Sequence, residues 1–223
     1  MGFDFDYMLS LLPILFKYLG TTLGMALWGL LFALIIALVL ALLRVYRIPV
    51  LDQLSQLYIS FFRGTPLLVQ LFLLYYGLPQ IFPVFVGLDA FSASVIGLSL
   101  HFAAYKAESI RAAIIGIDRS QREASLSIGM TELQAMRRII LPQATRVALP
   151  SLMNYFIDMI KSTSLAFTLG VAEIMAKAQM EASSSFKFFE AFLAVALIYW
   201  GMVLLLTRVQ IWAEAKLNKA YVR

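Results

Sequence analysis

The feature that most constrains this chain is a long stretch near its start that contains no charged residue. Between Lys17 and Arg44 the sequence is uncharged and mostly apolar, over residues 18–43. About 20 such residues are enough for a helix to cross the hydrocarbon core of a bilayer. The whole chain is 61% hydrophobic and only 14% charged, whereas soluble domains are about 25% charged. We therefore expect an all-α membrane protein.

Four further apolar stretches are long enough to span a bilayer. They cover about residues 57–78, 90–113, 146–169 and 188–207. Pro79 and Pro83 are expected to end the first of these four. Residues 7–16 are apolar but too few to span, and they contain Pro13, so we interpret them as an interfacial helix. The pattern predicts five transmembrane helices in one domain, 1–223.

The basic residues predict how these helices are oriented. They concentrate in alternate loops: the loop after the first span, the segment 116–145, and the tail with Arg208, Lys216, Lys219 and Arg223. The intervening loops are acidic or balanced in charge. Since cytoplasmic loops carry the excess of Lys and Arg, we expect the N-terminus outside and the C-terminus in the cytoplasm.

The composition also excludes several functions. The chain has no Cys and a single histidine, His101, so it offers neither thiol chemistry nor a multi-His metal site. It lacks the G-x-x-x-x-G-K-[ST] loop that cradles ATP phosphates. Its basic residues are scattered between apolar blocks, so no nucleic acid is expected. We expect this chain to bind no metal or cofactor. An intramembrane enzyme and a passive channel or scaffold remain as alternatives.

A charged segment near the middle, 122–146, interrupts this apolar pattern. Its apolar residues have helical spacing up to Gly129 and again after it, and Thr131 is placed to cap a helix that begins at Glu132. Pro142 and Pro150 are expected to punctuate the return into the membrane. This predicts two short surface helices, which either rest on lipid or bind a partner.

The same segment resembles the EAA loop of ABC-importer permeases. Glu123-Ala124-Ser125 is followed at the family's spacing by Gly129, Ile139 and Leu141-Pro142, and Ser125 in place of Ala is the only departure. The stretches FFRGTPLLVQLF, AAYKAESIRAAI and LPSLMNYFIDMIKSTSLA are similar to permeases of the polar amino acid uptake family. The likeness spans nearly the whole chain, with a core of about 19–212.

The resemblance implies a type I ABC importer permease fold in the bacterial cytoplasmic membrane. Loop 116–145 would form a cytoplasmic coupling helix that docks on separate ABC ATPase subunits, which use ATP and Mg. The residues that would serve this docking are Glu123, Ala124, Gly129, Met130 and Gln134. Further implied partners are a second permease copy or a paralogue, and an extracytoplasmic substrate-binding protein. L-cystine permeases look closest, with arginine, glutamine and other polar amino acids as alternatives.

Polar residues inside the predicted spans are the candidates for substrate contact. One helical face of the fourth span carries Asn154, Asp158 and Lys161, followed by Thr163 and Ser164. Such a face offers a cation to the carboxylate of an amino acid and an anion to its ammonium. The alternative is that Asp158 and Lys161 merely neutralise each other at i, i+3.

The second and third spans add further candidates. Tyr105 and Glu108 share a face of the third span, where Glu108 and Arg111 could equally neutralise each other, and Gln70 is a candidate for lining the path. Arg63, Thr65 and Pro66 open the second span and are candidates for gating, although Arg63 could be a simple interfacial anchor. We expect Lys106 to extend towards the cytoplasmic surface.

Overall fold

The computed structural model describes residues 2–218, and every regular element within them is helical. This agrees with the all-α prediction. The predicted basic tail residues Lys219 and Arg223 lie outside the described residues. The described chain forms two compact units, one of residues 2–31, 65–99 and 156–208 (unit 1) and one of 32–64, 100–155 and 209–218 (unit 2).

Eleven α-helices are assigned within the described residues. They are α1 (Phe5–Phe16), α2 (Leu19–Val45), α3 (Leu51–Gly64), α4 (Leu67–Phe72), α5 (Leu78–Ile81), α6 (Ala90–Ile115), α7 (Arg119–Ser127), α8 (Glu132–Ala135), α9 (Leu141–Ser162), α10 (Ile174–Ser185) and α11 (Phe188–Asn218). Two π-helical turns, Leu73–Gly77 and Met136–Ile140, join α4 to α5 and α8 to α9. Short 3₁₀ segments cover Pro83–Phe85 and Thr163–Leu169.

Two of these helices are long and apolar enough to cross a membrane by themselves, Leu19–Val45 and Phe188–Leu217. Two helix pairs interrupted by a bend raise the number of candidate spans within the described residues to four. The helix α6 is 26 residues long but does not pass the same test, because its serines, His101 and Lys106 lower its hydropathy. The helices agree with most of the predicted stretches, and the number of five spans stays a prediction.

The predicted continuous helix over 57–78 is wrong. The helix α3 ends at Gly64, and α4 begins at Leu67 after Pro66, whose ψ of 137° is extended. Proline has no N–H to donate and disfavours helical backbone in the residue before it. The chain therefore breaks at Thr65 and Pro66.

The predicted short second surface helix is also wrong. Its start at Glu132 is confirmed, but helical backbone continues through the π-turn into α9 and past Pro142 and Pro150. At the π-turn the Leu141 N–H donates to the carbonyl of Met136, an i→i−5 bond. Pro142 has no N–H to donate to the preceding turn. The wider π-turn just before it lets the helix continue without that hydrogen bond.

A third correction concerns residues 170–187, which connect the predicted spans 146–169 and 188–207 and were therefore expected to form a loop. They contain α10, whose N-cap is Glu173: its Oε1 accepts a 2.7 Å hydrogen bond from the Ala176 N–H. The predicted end of the last helix near residue 207 is wrong as well, since α11 continues to Asn218.

Small residues allow the helices of unit 1 to approach closely. Met8, Leu11 and Leu15 of α1 are buried against Ala178 and Ala182 of α10 and against Ala191 and Ala194 of α11. The helix α1 is therefore packed on protein along one face. On α6, a Cβ added at Gly97 would lie 2.5 Å from Leu71 Cδ2, so the buried Leu71 side chain would have to shift to admit a larger residue.

The core of unit 2 joins the end of α6 to the start of α9. Ala113 and Ile114 pack on Ile140, Ala144 and Ala148, with partly buried residues of α2 alongside. This packing fixes the two helix ends between which α7 and α8 are held.

Candidate functional site

The turn between α7 and α8 is built by two standard helix-terminus motifs. Gly129 has φ of +86°, the Met130 N–H donates to Ser125 O over 3.1 Å, and the Gly129 N–H donates to Leu126 O over 2.9 Å. These two bonds form a Schellman motif, which needs left-handed backbone at the glycine position. The predicted turn at Gly129 is confirmed.

The start of α8 is a capping box. Thr131 Oγ1 accepts from the Gln134 N–H at 3.3 Å, and Gln134 Oε1 accepts from the Thr131 N–H at 3.0 Å. The predicted cap at Thr131 is confirmed. The side chain of Gln134, one of the predicted docking residues, is engaged in this cap.

An ion pair closes the α7–α8 pair. Two guanidinium nitrogens of Arg122 donate to the two carboxylate oxygens of Glu132 over 2.9 and 2.8 Å. This bidentate contact raises the pKa of Arg122 above its ordinary value. At the start of α7, hydrogen bonds from Ser120 hold the pKa of the capping Asp118 below its usual range. The two helices are therefore fixed to each other without a large core.

This helix pair presents both charged and apolar side chains to its surroundings. Glu123 and Ala124 are exposed, and Ile128 and Leu133 are 75% and 61% exposed. Ser125, the departure from the family pattern, is buried and donates to Gln121 O over 2.6 Å. Exposed large apolar side chains beside a fixed turn are typical of a docking surface.

The polar residues of the fourth predicted span lie where the helical spacing predicted. Asn154, Asp158 and Lys161 are all exposed on α9. Lys161 Nζ lies 2.6 Å from Asp158 Oδ1, and both side chains are about half exposed, at 53% and 51%. Charges at membrane depth are costly unless they face water or a partner. This exposed pair is therefore a candidate for lining an aqueous path.

The neighbouring hydroxyl candidates have local partners. Thr163 is fully buried, donates to Ile160 O over 2.6 Å and lies 3.5 Å from the hydroxyl of Tyr199. The Tyr199 hydroxyl in turn contacts the buried Glu173 carboxylate at 3.3 Å. Ser164 donates to Lys161 O over 2.7 Å. Sequence reasoning missed Glu173 and Tyr199; the signal available was an acidic residue directly before an apolar helical stretch.

Glu108 lies in a separate cluster, within unit 2. Its carboxylate accepts from Arg111 of the same helix and, over 2.6 Å, from Arg44 Nη1 of α2. Arg44 Nε also lies 3.5 Å from Asp52 Oδ1. Two guanidiniums thus bind the carboxylate that was a candidate for binding a substrate ammonium. No pattern in the sequence indicates that Arg44 takes part.

Two candidates from different helices meet beside α3. The Arg63 guanidinium lies 5.4 Å from the centre of the Tyr105 ring, and both residues line a cavity of about 390 Å³ together with Ser60. The Tyr105 ring is also 5.7 Å from that of Tyr155. This cavity provides a cation and two hydroxyl groups.

Gln70 lies in a different setting from the predicted one. It is 5% exposed, and its amide donates to the carbonyl and hydroxyl oxygens of Thr65 over 3.1 and 2.8 Å. Its side chain therefore supports the break at Thr65 and Pro66, which were candidates for gating.

The prediction that Lys106 extends to the cytoplasmic surface is wrong. Its side chain is fully buried, with Nζ 3.4 Å from Leu152 O and 5.9 and 5.8 Å from the ring centres of Phe102 and Tyr155. The two aromatic faces and the carbonyl stabilise the ammonium in place of water. The prediction failed because the aromatic neighbour Tyr155 comes from another helix.

Comparison with known proteins gives one family and several close relatives. The model of the family described as binding-protein-dependent transport system inner membrane component matches residues 29–219. A probable amino-acid ABC transporter permease protein PatM of Vibrio harveyi is 86% identical over 223 residues, covering 100% of both chains. The L-cystine transport system permease protein TcyL of Bacillus subtilis is 39% identical over 227 residues, covering 100% of this chain and 95% of TcyL.

A solved structure has the same fold. It is described as an amino acid ABC transporter with histidines, and it matches with a TM-score of 0.88 and 35% sequence identity. The match covers 97% of this chain and 100% of that one.

Proposed function

The chain belongs to the family of binding-protein-dependent transport system inner membrane components, and we propose that it is the permease subunit of an ATP-driven importer for a polar amino acid. The observation that carries this proposal is the α7–α8 pair. Its Schellman turn, capping box and ion pair make a rigid element that exposes Glu123, Ala124 and Ile128. A passive channel or a scaffold has no need for such an element.

Within this proposal the α7–α8 pair is the coupling helix that receives movement from separate ATPase chains. ATP binding brings two ATPase chains together and moves the coupling helices of two permease subunits, this chain and a second copy or a paralogue. The path then alternates between openings on the two sides of the membrane. An extracytoplasmic binding protein delivers the amino acid, and hydrolysis takes place outside this chain.

The substrate site of the proposed importer centres on Asp158 and Lys161. A zwitterionic amino acid replaces their 2.6 Å contact: its carboxylate binds Lys161 and its ammonium binds Asp158. Asn154 and Ser164 are placed near them along the chain, and Arg63 with Tyr105 remains a separate candidate site within unit 2. L-cystine is the first substrate to test, because the L-cystine permease of Bacillus subtilis is 39% identical. Arginine and glutamine are the alternatives.

We further propose five spans with the N-terminus outside, as the basic loops predict. The test is a Ser120→Cys variant, because Ser120 is exposed on α7 and the natural chain has no Cys. A membrane-impermeant maleimide should label it only from the cytoplasmic side. Labelling from outside in intact cells would contradict this orientation.

The experiment that tests the function is uptake by the complex reconstituted in vesicles with its ATPase and binding protein. Radiolabelled L-cystine, arginine and glutamine are offered one at a time, with ATP inside or absent. ATP-dependent accumulation of one polar amino acid is the expected result. Accumulation that ignores ATP would support a passive channel instead, and no accumulation of any amino acid would overturn the proposal.

A pair of glycine variants tests the coupling role. Gly129 and Gly87 both have positive φ, +86° and +88°, and a Cβ at either position would meet nothing within 4 Å. Asp in place of either adds the same backbone strain, about 1 kcal/mol. We expect Gly129→Asp to abolish uptake and ATPase stimulation while Gly87→Asp largely retains them. Equal losses in the two variants would assign the effect to strain alone.

A further inference from the structure

A groove of about 620 Å³ lies beside the α7–α8 pair, entirely within unit 2. Its apolar wall comes from the ends of α2 and α6, the turn after α6, α7 and the π-turn before α9. The wall residues are Val45, Ile114, Ile115, Ile117, Leu126, Met136 and Ile140. Ile115 and Leu126 remain 59% and 37% exposed. The groove thus combines open apolar surface with the end of the first long apolar helix.

The polar lining of the groove is mainly cationic. Arg47, Arg119 and Arg122 line it together with Glu123 and Glu132, so three positive charges face two negative ones. Glu132 is already bound by Arg122. Among residues 2–218, the ion pairs found do not include Arg47 or Arg119. These two exposed guanidiniums face one carboxylate outside those ion pairs, that of Glu123, so the groove keeps a net positive charge.

The position of the groove relative to the membrane indicates which kind of ligand it can bind. The uncharged part of α2 ends at Arg44, so Val45 and Arg47 mark the level where hydrocarbon gives way to headgroups. In the orientation of the proposed function, on which this step rests, that level belongs to the cytoplasmic leaflet. This leaflet carries anionic lipids whose surface potential attracts basic residues. An apolar wall next to two guanidiniums is complementary to an acyl chain attached to a phosphate.

We propose that this groove binds an anionic phospholipid of the cytoplasmic leaflet, with Arg47 and Arg119 at its phosphate and the first part of an acyl chain on the apolar wall. Arginine suits this ligand because its planar fork can donate two hydrogen bonds to phosphate oxygens. The bound lipid contacts α7 directly through Arg119 and Leu126, so it would also support the coupling helix from the membrane side.

The test titrates fluorescent phosphatidylglycerol into the assembled complex in detergent, with phosphatidylcholine of the same chain length as a comparison. Each of Arg47→Gln and Arg119→Gln should weaken binding of phosphatidylglycerol about fivefold, and the double variant about 25-fold. The matched control is Arg138→Gln, which removes an equal charge on the same cytoplasmic segment from a residue that does not line the groove. It should leave binding unchanged. Val45→Trp should weaken binding through the wall, without any change of charge.

Four results would overturn the proposal. They are equal binding of the two lipids, an equal loss with Arg138→Gln, displacement of the lipid by millimolar inorganic phosphate, and release of the ATPase subunits by the double variant in lipid-free detergent. The third result would mean a phosphate site, and the fourth would mean a protein contact. If uptake fails for every amino acid while lipid binding follows the variants as expected, the lipid site stands and the transport function falls.

Discussion

Two acidic residues on the long helices face basic partners three residues further along, and the two pairs differ in everything beyond that spacing. Glu108 is held by Arg111 and also by Arg44 from another helix, and its side chain is 27% exposed. Asp158 is held by Lys161, and its side chain is 51% exposed. The i, i+3 pattern alone therefore does not separate a structural ion cluster from an ion pair that is available to a ligand. What separates them is whether a third charged residue joins the pair and how exposed the side chains are.

The largest effect is expected when the structural cluster loses its acid. Glu108→Gln leaves the guanidiniums of Arg44 and Arg111 without their carboxylate, and an unpaired, partly buried charged group costs about 1–3 kcal/mol. Because the cluster is about a quarter exposed, we expect about 2 kcal/mol, with the melting temperature of the purified complex lowered by about 5 °C.

The control for this variant is Asp6→Asn, which also neutralises an acidic residue, at an exposed position of α1; it should leave the melting temperature nearly unchanged. Direct substrate binding by the folded Glu108→Gln protein should match the unaltered complex. A weakened substrate affinity at full stability would place Glu108 in the substrate site after all and remove the contrast with Asp158.

The exposed pair should show the opposite behaviour. Asp158→Asn and Lys161→Met each remove a charge from a half-exposed contact, and such pairs contribute about 0–1 kcal/mol to stability. A charge-assisted hydrogen bond to a bound amino acid is stronger, about 1.5–3 kcal/mol. We therefore expect substrate binding to weaken about tenfold or more in each variant, with the melting temperature nearly unchanged.

The double variant completes this test, with binding and melting measured on the same samples. If Asp158 and Lys161 only neutralise each other, combining the two changes should restore whatever stability each one loses, and affinity should never move. If both contact substrate, affinity should fall further in the double variant. Unchanged affinity in all three proteins would direct the search to Arg63 and Tyr105.

The local features of the α7–α8 pair could be predicted because each depends on neighbouring residues. The turn at Gly129 follows from the conformational freedom of glycine, and the cap at Thr131 from a hydroxyl oxygen three residues before the N–H that donates to it. The break at Pro66 could have been predicted in the same way, but the apolar composition of 57–78 favoured a continuous helix. The continuation of the helix through Pro142 could not be predicted in this way, because it depends on a π-turn that no sequence pattern indicates.

The long-range contacts could not be predicted from spacing. Arg44 reaches Glu108 across 64 residues of sequence, and Tyr155 contacts Lys106 from a different helix. Helical spacing indicates which residues share a face, but not what that face meets. From the sequence, Glu108 and Asp158 are therefore equal candidates for substrate contact, and the packing of the helices distinguishes them.

Added salt should sharpen the contrast further, with a smaller effect. The Debye length falls from about 10 Å at 0.1 M salt to about 3 Å at 1 M, and exposed charges are screened more than partly buried ones. We expect substrate affinity, which depends on the exposed Asp158 and Lys161, to weaken about threefold over this range. The melting temperature difference caused by Glu108→Gln should persist. A difference that vanishes in high salt would show that the Glu108 cluster is as solvated as the exposed pair.

The smallest effect is expected at a third acid–base pair, which lies at the N-terminus, outside the long helices. Lys187 Nζ is 2.5 Å from Asp4 Oδ2, and Asp4 also caps α1 by accepting from the Tyr7 N–H. The contact with Lys187 lowers the pKa of Asp4 and raises that of Lys187. The stability it gives is therefore present above the ordinary pKa of an aspartate and lost as the pH falls through the lowered pKa of Asp4. On the alkaline side it is lost only above the raised pKa of Lys187. Asp4→Asn keeps a capping oxygen and removes the charge, so hydrogen exchange in α1 should be slightly faster in this variant at pH 7, and the difference should shrink as the pH falls through the pKa of Asp4. Equal exchange in the two proteins at pH 7 would assign the attachment of α1 to its apolar contacts with α10 and α11, with no contribution from the ion pair.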